Sequence, residues 1–88
     1  MTGKRALVVD DSKSARAFLA RILERHDLTV DNAESAEEAI VYLAQQRPDV
    51  IFMDHLMPGM DGFQAVQAIK NDPRTATIPI LMYTSQEG

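Results

Sequence analysis

The stretch Val50-Ile51-Phe52-Met53-Asp54 decides the fold. Four consecutive apolar residues, two of them β-branched, are typical of a strand buried on both faces, as in a parallel sheet covered by helices. Asp54 ends this strand, and Pro58-Gly59 and Asp61-Gly62 turn the chain soon afterwards. Because ligands of open α/β sheets bind at the carboxyl ends of the strands, Asp54 is a candidate for chemistry.

A second apolar run also ends in carboxylates. Arg5-Ala6-Leu7-Val8-Val9 is followed by Asp10 and Asp11. If both strands end at the same edge of a sheet, three acids meet there, and two charges about 4 Å apart repel by roughly 4 kcal/mol at an effective dielectric constant of ~20. A hard divalent cation relieves such repulsion, and oxygen ligands suit Mg²⁺. The alternative is that Asp10 and Asp11 merely begin a helix and Asp54 a loop.

Composition indicates one small globular domain. The chain has 88 residues, of which 45% are hydrophobic and 25% charged, and its net charge is -4. Since there is no basic run, we expect no direct nucleic-acid partner. The chain has no cysteine, and it shows no signal-peptide pattern and no apolar run of membrane-spanning length. We therefore expect no disulfide, no membrane partner and a cytoplasmic location.

The whole chain alternates predicted strands and helices. The predicted strands lie at 5–9, 28–32, 50–54 and 78–84, and the predicted helices at 12–25, 35–47 and 62–70. Ser12 and Ser35 are expected to cap the first two helices, and Pro48 requires the second to end before it. The second strand is the most polar and should lie at an edge. Right-handed crossovers should distribute the helices over both faces of the sheet.

Patterns within the helices predict which side chains are buried. The expected apolar stripe of the first helix consists of Ala15, Phe18, Leu19, Ile22 and Leu23. Arg16 lies off this stripe and should be solvated. Tyr42 falls on the polar side of the second helix and should also face water.

Three short motifs stand at the ends of predicted strands: Val8-Val9-Asp10-Asp11-Ser12, the run 54–62, and Tyr83-Thr84-Ser85. Together they resemble the signatures of response-regulator receiver domains, the phosphoacceptor modules of two-component signalling, similar to the chemotaxis regulator. The resemblance implies a flavodoxin-like three-layer α/β fold with parallel strand order 2-1-3-4. A complete receiver continues with a helix, a strand and a helix, including a lysine that contacts the phosphoryl oxygens. We therefore expect residues 1–88 to form a single, incomplete receiver domain.

The resemblance also implies a metal site. Asp54 matches the phosphorylated aspartate. Asp11 and Asp54 match direct ligands of Mg²⁺, with the backbone carbonyl of Leu56 as a third. Asp10 matches the acid that holds the water ligands of the metal.

By the same resemblance, the chain takes a phosphoryl group from a histidine kinase or phosphotransfer protein. It would be a signalling phosphoacceptor and not an enzyme, with at most Mg²⁺-dependent self-phosphorylation and autodephosphorylation. Thr84 matches the switch hydroxyl that turns onto the phosphoryl group, and Ser85 matches the small residue that leaves it room.

Two other functions stay open besides that of a phosphoacceptor. A phosphatase or hydrolase with an aspartate nucleophile also uses acids at strand ends, but its usual second acid, two residues past the nucleophile, is replaced by Leu56. A truncated or inactive receiver would act only as a protein–protein interaction module. In an incomplete receiver the apolar fourth strand forms an open edge, so the sequence is either a fragment of a longer chain or hides this surface by association. If it folds as the 88-residue chain, we expect a homo-oligomer through the edge or exposed face of the fourth strand.

Overall fold

The computed structural model describes residues 3–55 and 57–84. The elements of this part, in chain order, are β1 (Arg5–Val9), α1 (Lys13–Glu24), β2 (Thr29–Ala33), α2 (Ala36–Leu43), β3 (Val50–Asp54), α3 (Gly62–Asn71) and β4 (Ile80–Tyr83). Within it the strands form one parallel sheet in the order β2-β1-β3-β4. This confirms the predicted flavodoxin-like arrangement, including the edge position of β2. No helix of the described ranges is both long and apolar enough to span a membrane.

Polar caps set the start of each helix. The side chains of Ser12 and Ser35 each accept a hydrogen bond from the backbone N–H three residues further on, which confirms both predicted caps. Asp61 begins α3 with a capping box. Its carboxylate accepts the N–H of Gln64, whose side chain accepts the N–H of Asp61.

Alternation along the strands divides the core into two layers. Leu7 and Ile51 belong to the layer covered by α2 and α3. Val8 faces the other way, toward α1, which packs on β1 and β2. Phe52 also faces the α1 side but is only partly buried. The prediction that β3 is buried on both faces is therefore wrong for the α1 face. The helix lies too far toward β2 to cover it.

Three side chains differ from the helical pattern. Phe18 was predicted to be buried, but it is 65% exposed and lines an open cleft of about 730 Å³ between α1 and the β4 side of the sheet. Arg16, expected in solvent, is partly buried, and its Nη1 donates to the backbone carbonyl of Asp10 at 2.7 Å. The Tyr42 hydroxyl donates to Asp31 at 2.6 Å instead of facing water. The long side chains of Arg16 and Tyr42 contact residues outside their own helices, and a helical repeat does not encode such contacts.

Gly62 allows α3 to begin directly against the end of β3. A Cβ at this position would lie 2.6 Å from the carbonyl oxygen of Asp54 and 2.6 Å from the Cα of His55. Replacing glycine by alanine in a helix usually stabilises it by about 0.5–1 kcal/mol. We expect the opposite here, because overpacking should lower the free energy of unfolding of Gly62→Ala by about 1–3 kcal/mol.

Urea denaturation measures this change. Gln67→Ala, at an exposed position of the same helix, is the control and should change stability little. A Gly62→Ala variant as stable as the parent chain would show that the close approach of α3 to the end of β3 does not require glycine at position 62.

Candidate functional site

Three carboxylates meet at the carboxyl ends of β1 and β3. Asp10, Asp11 and Asp54 each offer an oxygen, and these atoms lie within 4.8 Å of one another. Asp10 is fully buried, Asp54 is 2% exposed and Asp11 is exposed. The sheet produces this cluster because β1 and β3 are adjacent and parallel, with Val9 opposite Met53, so that their following residues share one edge. The convergence expected from the sequence is present.

Hydrogen-bond donors hold both oxygens of the Asp10 carboxylate. Oδ1 accepts the backbone N–H of Ser12 at 2.9 Å, and Oδ2 accepts the hydroxyl of Tyr83 at 2.8 Å. The backbone carbonyl of Asp10 accepts Nη1 of Arg16. A buried carboxylate needs such donors because water does not solvate it. The start of α1 and the end of β4 together orient Asp10.

Tyr83 is a site residue whose contact the sequence analysis missed. It lies opposite Asp54 in the register of β3 and β4, yet its hydroxyl reaches Asp10 at the end of β1, two strands away. At the usual strand spacing this is about 10 Å, which only a long side chain spans. Burial, and then the hydrogen bond to Asp10, raises the pKa of the Tyr83 hydroxyl, which therefore keeps its proton and donates. The pairing of β3 and β4 places residues 54 and 83 on one face of the sheet, but strand periodicity does not encode a contact two strands away.

Of the other predicted site residues, the structure describes Thr84 only. Thr84 directly follows β4 at the same edge of the sheet and is exposed. Leu56 and Ser85 lie outside the described residues, so their roles stay predictions. The backbone N–H of His55 donates to the carbonyl of Tyr83 at 3.1 Å, which continues the β3–β4 pairing to the end of both strands.

The donor set of the cluster fits a hard divalent cation. All three side chains supply carboxylate oxygens, the ligands that Mg²⁺ and Ca²⁺ prefer. Two of the acids are buried, where salt and water screen their repulsion less than at the surface. A cation at this point would offset that repulsion. The site is therefore suited to Mg²⁺ by its chemistry as well as by its position.

Comparison with known proteins places these features in a family context. The family model described as the response regulator receiver domain matches residues 6–88. Protein PilH of Pseudomonas aeruginosa is 37% identical over 83 residues, which cover 94% of this chain and 69% of PilH. Protein PilG of the same organism is 33% identical over 86 residues, which cover 98% of this chain and 64% of PilG. The chain thus spans about two thirds of the length of these relatives.

Solved structures give the same result. The chemotaxis protein CheY4 of Vibrio cholerae matches with a TM-score of 0.89 at 33% identity, over 99% of this chain and 72% of that chain. The N-terminal domain of a response regulator receiver protein from Methanoculleus marisnigri matches with a TM-score of 0.89 at 36% identity, over 97% of this chain and 69% of that chain. The likeness in fold extends over nearly all of this chain.

Repulsion within the acidic cluster should limit stability when no divalent cation is present. Asp11→Asn removes an exposed negative charge with little change of shape. In EDTA we expect it to raise the free energy of unfolding by about 1 kcal/mol, the Coulomb energy of two charges about 4 Å apart in water. Urea denaturation at low ionic strength measures the change.

Asp27→Asn is the matched control for charge. Asp27 is an exposed acid outside the cluster, and asparagine tolerates its positive φ of 66°. Added salt should reduce the effect of Asp11→Asn. If Asp11→Asn is less stable than the parent chain at low salt, repulsion does not dominate this cluster.

Proposed function

This chain belongs to the family of response-regulator receiver domains, and from that premise we propose that Asp54 accepts a phosphoryl group from a histidine kinase or a phosphotransfer protein. The proposal rests above all on the convergence of Asp10, Asp11 and Asp54 within 4.8 Å at the end of the sheet. Residues 1–88 would act as one domain, in the cytoplasm, as a signalling phosphoacceptor and not as an enzyme that turns over a small substrate.

Asp54 is the proposed nucleophile. One carboxylate oxygen forms a bond to phosphorus while the bond from phosphorus to the donor's imidazole nitrogen breaks, and the imidazole leaves with that electron pair. An acyl phosphate on Asp54 results. Because β3 and the close approach of Gly62 fix the backbone of Asp54, the attacking group is already positioned, and positioning is a large part of catalysis in phosphoryl transfer.

Mg²⁺ is the proposed cofactor. The residues that would hold it are Asp11, Asp54 and the backbone carbonyl of Leu56 directly, and Asp10 through metal-bound water. When bound, the cation neutralises charge on the phosphoryl oxygens and on the acids. The two donors on Asp10 keep its carboxylate in place, as this role requires.

Thr84 is proposed as the switch and Ser85 as the small residue beside it. A phosphoryl group on Asp54 brings about -1.5 to -2 charges and three strong acceptor oxygens. A charge-assisted hydrogen bond from the Thr84 hydroxyl is worth roughly 1.5–3 kcal/mol. Each 1.4 kcal/mol or so shifts a two-state equilibrium about tenfold, so such a bond is enough to move a nearly balanced segment at the end of β4.

Beryllium fluoride with Mg²⁺ tests the proposal, because fluoroberyllate mimics a phosphoryl group on a carboxylate. We expect a bound ¹⁹F NMR signal in the parent chain that requires Mg²⁺ and is lost in Asp54→Asn. Asp27→Asn, outside the cluster, should keep the signal. Mg²⁺ alone should raise the free energy of unfolding by about 2.7 kcal/mol at a concentration 100 times its Kd.

The two other functions predict different experimental results. An inert interaction module would show neither a bound fluoroberyllate signal nor stabilisation by Mg²⁺. A hydrolase would release inorganic phosphate continuously from a small phosphate ester, whereas a phosphoacceptor would not turn it over. Either result would contradict the proposed function.

We also propose that the chain associates with a second copy through the open edge of β4. Within the described ranges no strand pairs with the outer side of β4. Leu81 on this strand is 54% exposed, and it lines the same cleft as the exposed Phe18. An exposed apolar edge strand is a ready template for pairing with another chain.

Sedimentation velocity at micromolar concentration tests the association. We expect a dimer for the parent chain and a shift toward monomer for Leu81→Lys, because a charge on an edge strand opposes pairing. Val41→Lys, at a similarly exposed apolar position on α2, is the control and should leave the dimer intact. A well-folded monomer of the parent chain would remove this proposal.

A further inference from the structure

We propose that Tyr83 is a positioning residue for the acidic cluster, and that its hydroxyl holds the buried Asp10 carboxylate in the orientation that serves bound Mg²⁺. The inference rests on the proposed function, since it concerns the cation that the three acids would hold. It adds a residue of β4 to a site otherwise built from the ends of β1 and β3.

The contact joins distant parts of the chain. Oδ1 of Asp10 is bound locally, by the N–H of Ser12, but Oδ2 is bound by Tyr83, which is 73 residues away in the sequence. Because the two oxygens are held by different elements, the carboxylate cannot rotate without breaking one of these hydrogen bonds, and the Asp10 side chain itself is fully buried. Each carboxylate oxygen accepts about two hydrogen bonds, so acceptor capacity remains for metal-bound water.

The neighbouring charges give this restraint its purpose. Asp11 and Asp54 have oxygens within 4.8 Å of an oxygen of Asp10, and their repulsion favours any rotation that separates the charges. A donated hydrogen bond opposes that rotation before a cation arrives. Residues that orient metal-holding groups in this way typically change metal affinity by about 10–100-fold when mutated.

The hydroxyl and the ring of Tyr83 have separable roles. The ring lines the apolar cleft together with Phe18 and Leu81, and a phenylalanine would pack there equally well. The hydroxyl alone reaches Asp10. Tyr83→Phe therefore removes the proposed positioning role of the hydroxyl and keeps the packing of the ring.

Tyr42 supplies a matched control. Its hydroxyl also donates to an aspartate, Asp31 at 2.6 Å, and it is also partly buried. Asp31 lies on β2, at the opposite edge of the sheet from Tyr83. Tyr42→Phe thus removes an equivalent hydrogen bond far from the acidic cluster.

Two measurements on the full 88-residue chain test the inference. Isothermal titration calorimetry should show Mg²⁺ binding about tenfold weaker in Tyr83→Phe than in the parent chain, and unchanged in Tyr42→Phe. The chain has two tyrosines and no tryptophan, so each variant leaves one fluorophore. Mg²⁺ should change the emission of Tyr83 in Tyr42→Phe along the calorimetric isotherm, and it should leave Tyr42 in Tyr83→Phe unchanged.

The outcomes separate this inference from the proposed function. Equal Mg²⁺ affinity in the parent chain and Tyr83→Phe would overturn the role of Tyr83 while the metal site stands. So would an unchanged Tyr83 emission in Tyr42→Phe under conditions where calorimetry detects binding. Failure of the parent chain to bind Mg²⁺ would overturn both. If circular dichroism shows that Tyr83→Phe does not fold, the emission of Tyr83 in Tyr42→Phe decides the matter.

Discussion

Repulsion among three carboxylates is the constraint on which the rest of the site depends. Parallel pairing of β1 and β3 brings Asp10, Asp11 and Asp54 to one edge of the sheet, so the topology itself concentrates the negative charge. Two of the three are buried, where charges are costly to maintain. Folding alone does not require such a cluster, and clusters of this kind are typical of functional sites. The surrounding donors are best understood as the means by which the fold tolerates it.

The residues that begin the helices also build the site. Ser12 caps α1 through its side chain, while its backbone N–H holds Asp10. Asp61 caps α3, and Gly62 lets that helix begin against the carbonyl of Asp54. The positions of the acids therefore depend on helix starts, which local hydrogen bonds set, and not on loops alone. A change at either helix start would move a carboxylate as well as lower stability.

Local periodicity predicted much of this molecule, and side-chain reach accounts for most of what it missed. The strands, the caps of the first two helices and the meeting of the acids followed from apolar runs and from the residues that end them, and the strand order came from the resemblance to a family. Phe18 was misplaced because α1 covers β1 and β2 and leaves the β4 side open. The contacts of Arg16 and Tyr83 with Asp10 were missed because each crosses between elements, which neither helical nor strand periodicity encodes.

The end of β4 is tied to the acidic cluster by two independent contacts. The side chain of Tyr83 bonds to Asp10 on β1, and its backbone carbonyl accepts the N–H of His55, next to Asp54. Any displacement of this strand end must therefore break or carry with it a bond to the acids. Thr84 directly follows Tyr83, and Leu81, two residues before Tyr83, is exposed. Because β4 carries the exposed Leu81 and also bonds to the acids, a change in charge at the cluster has a short structural route to the surface.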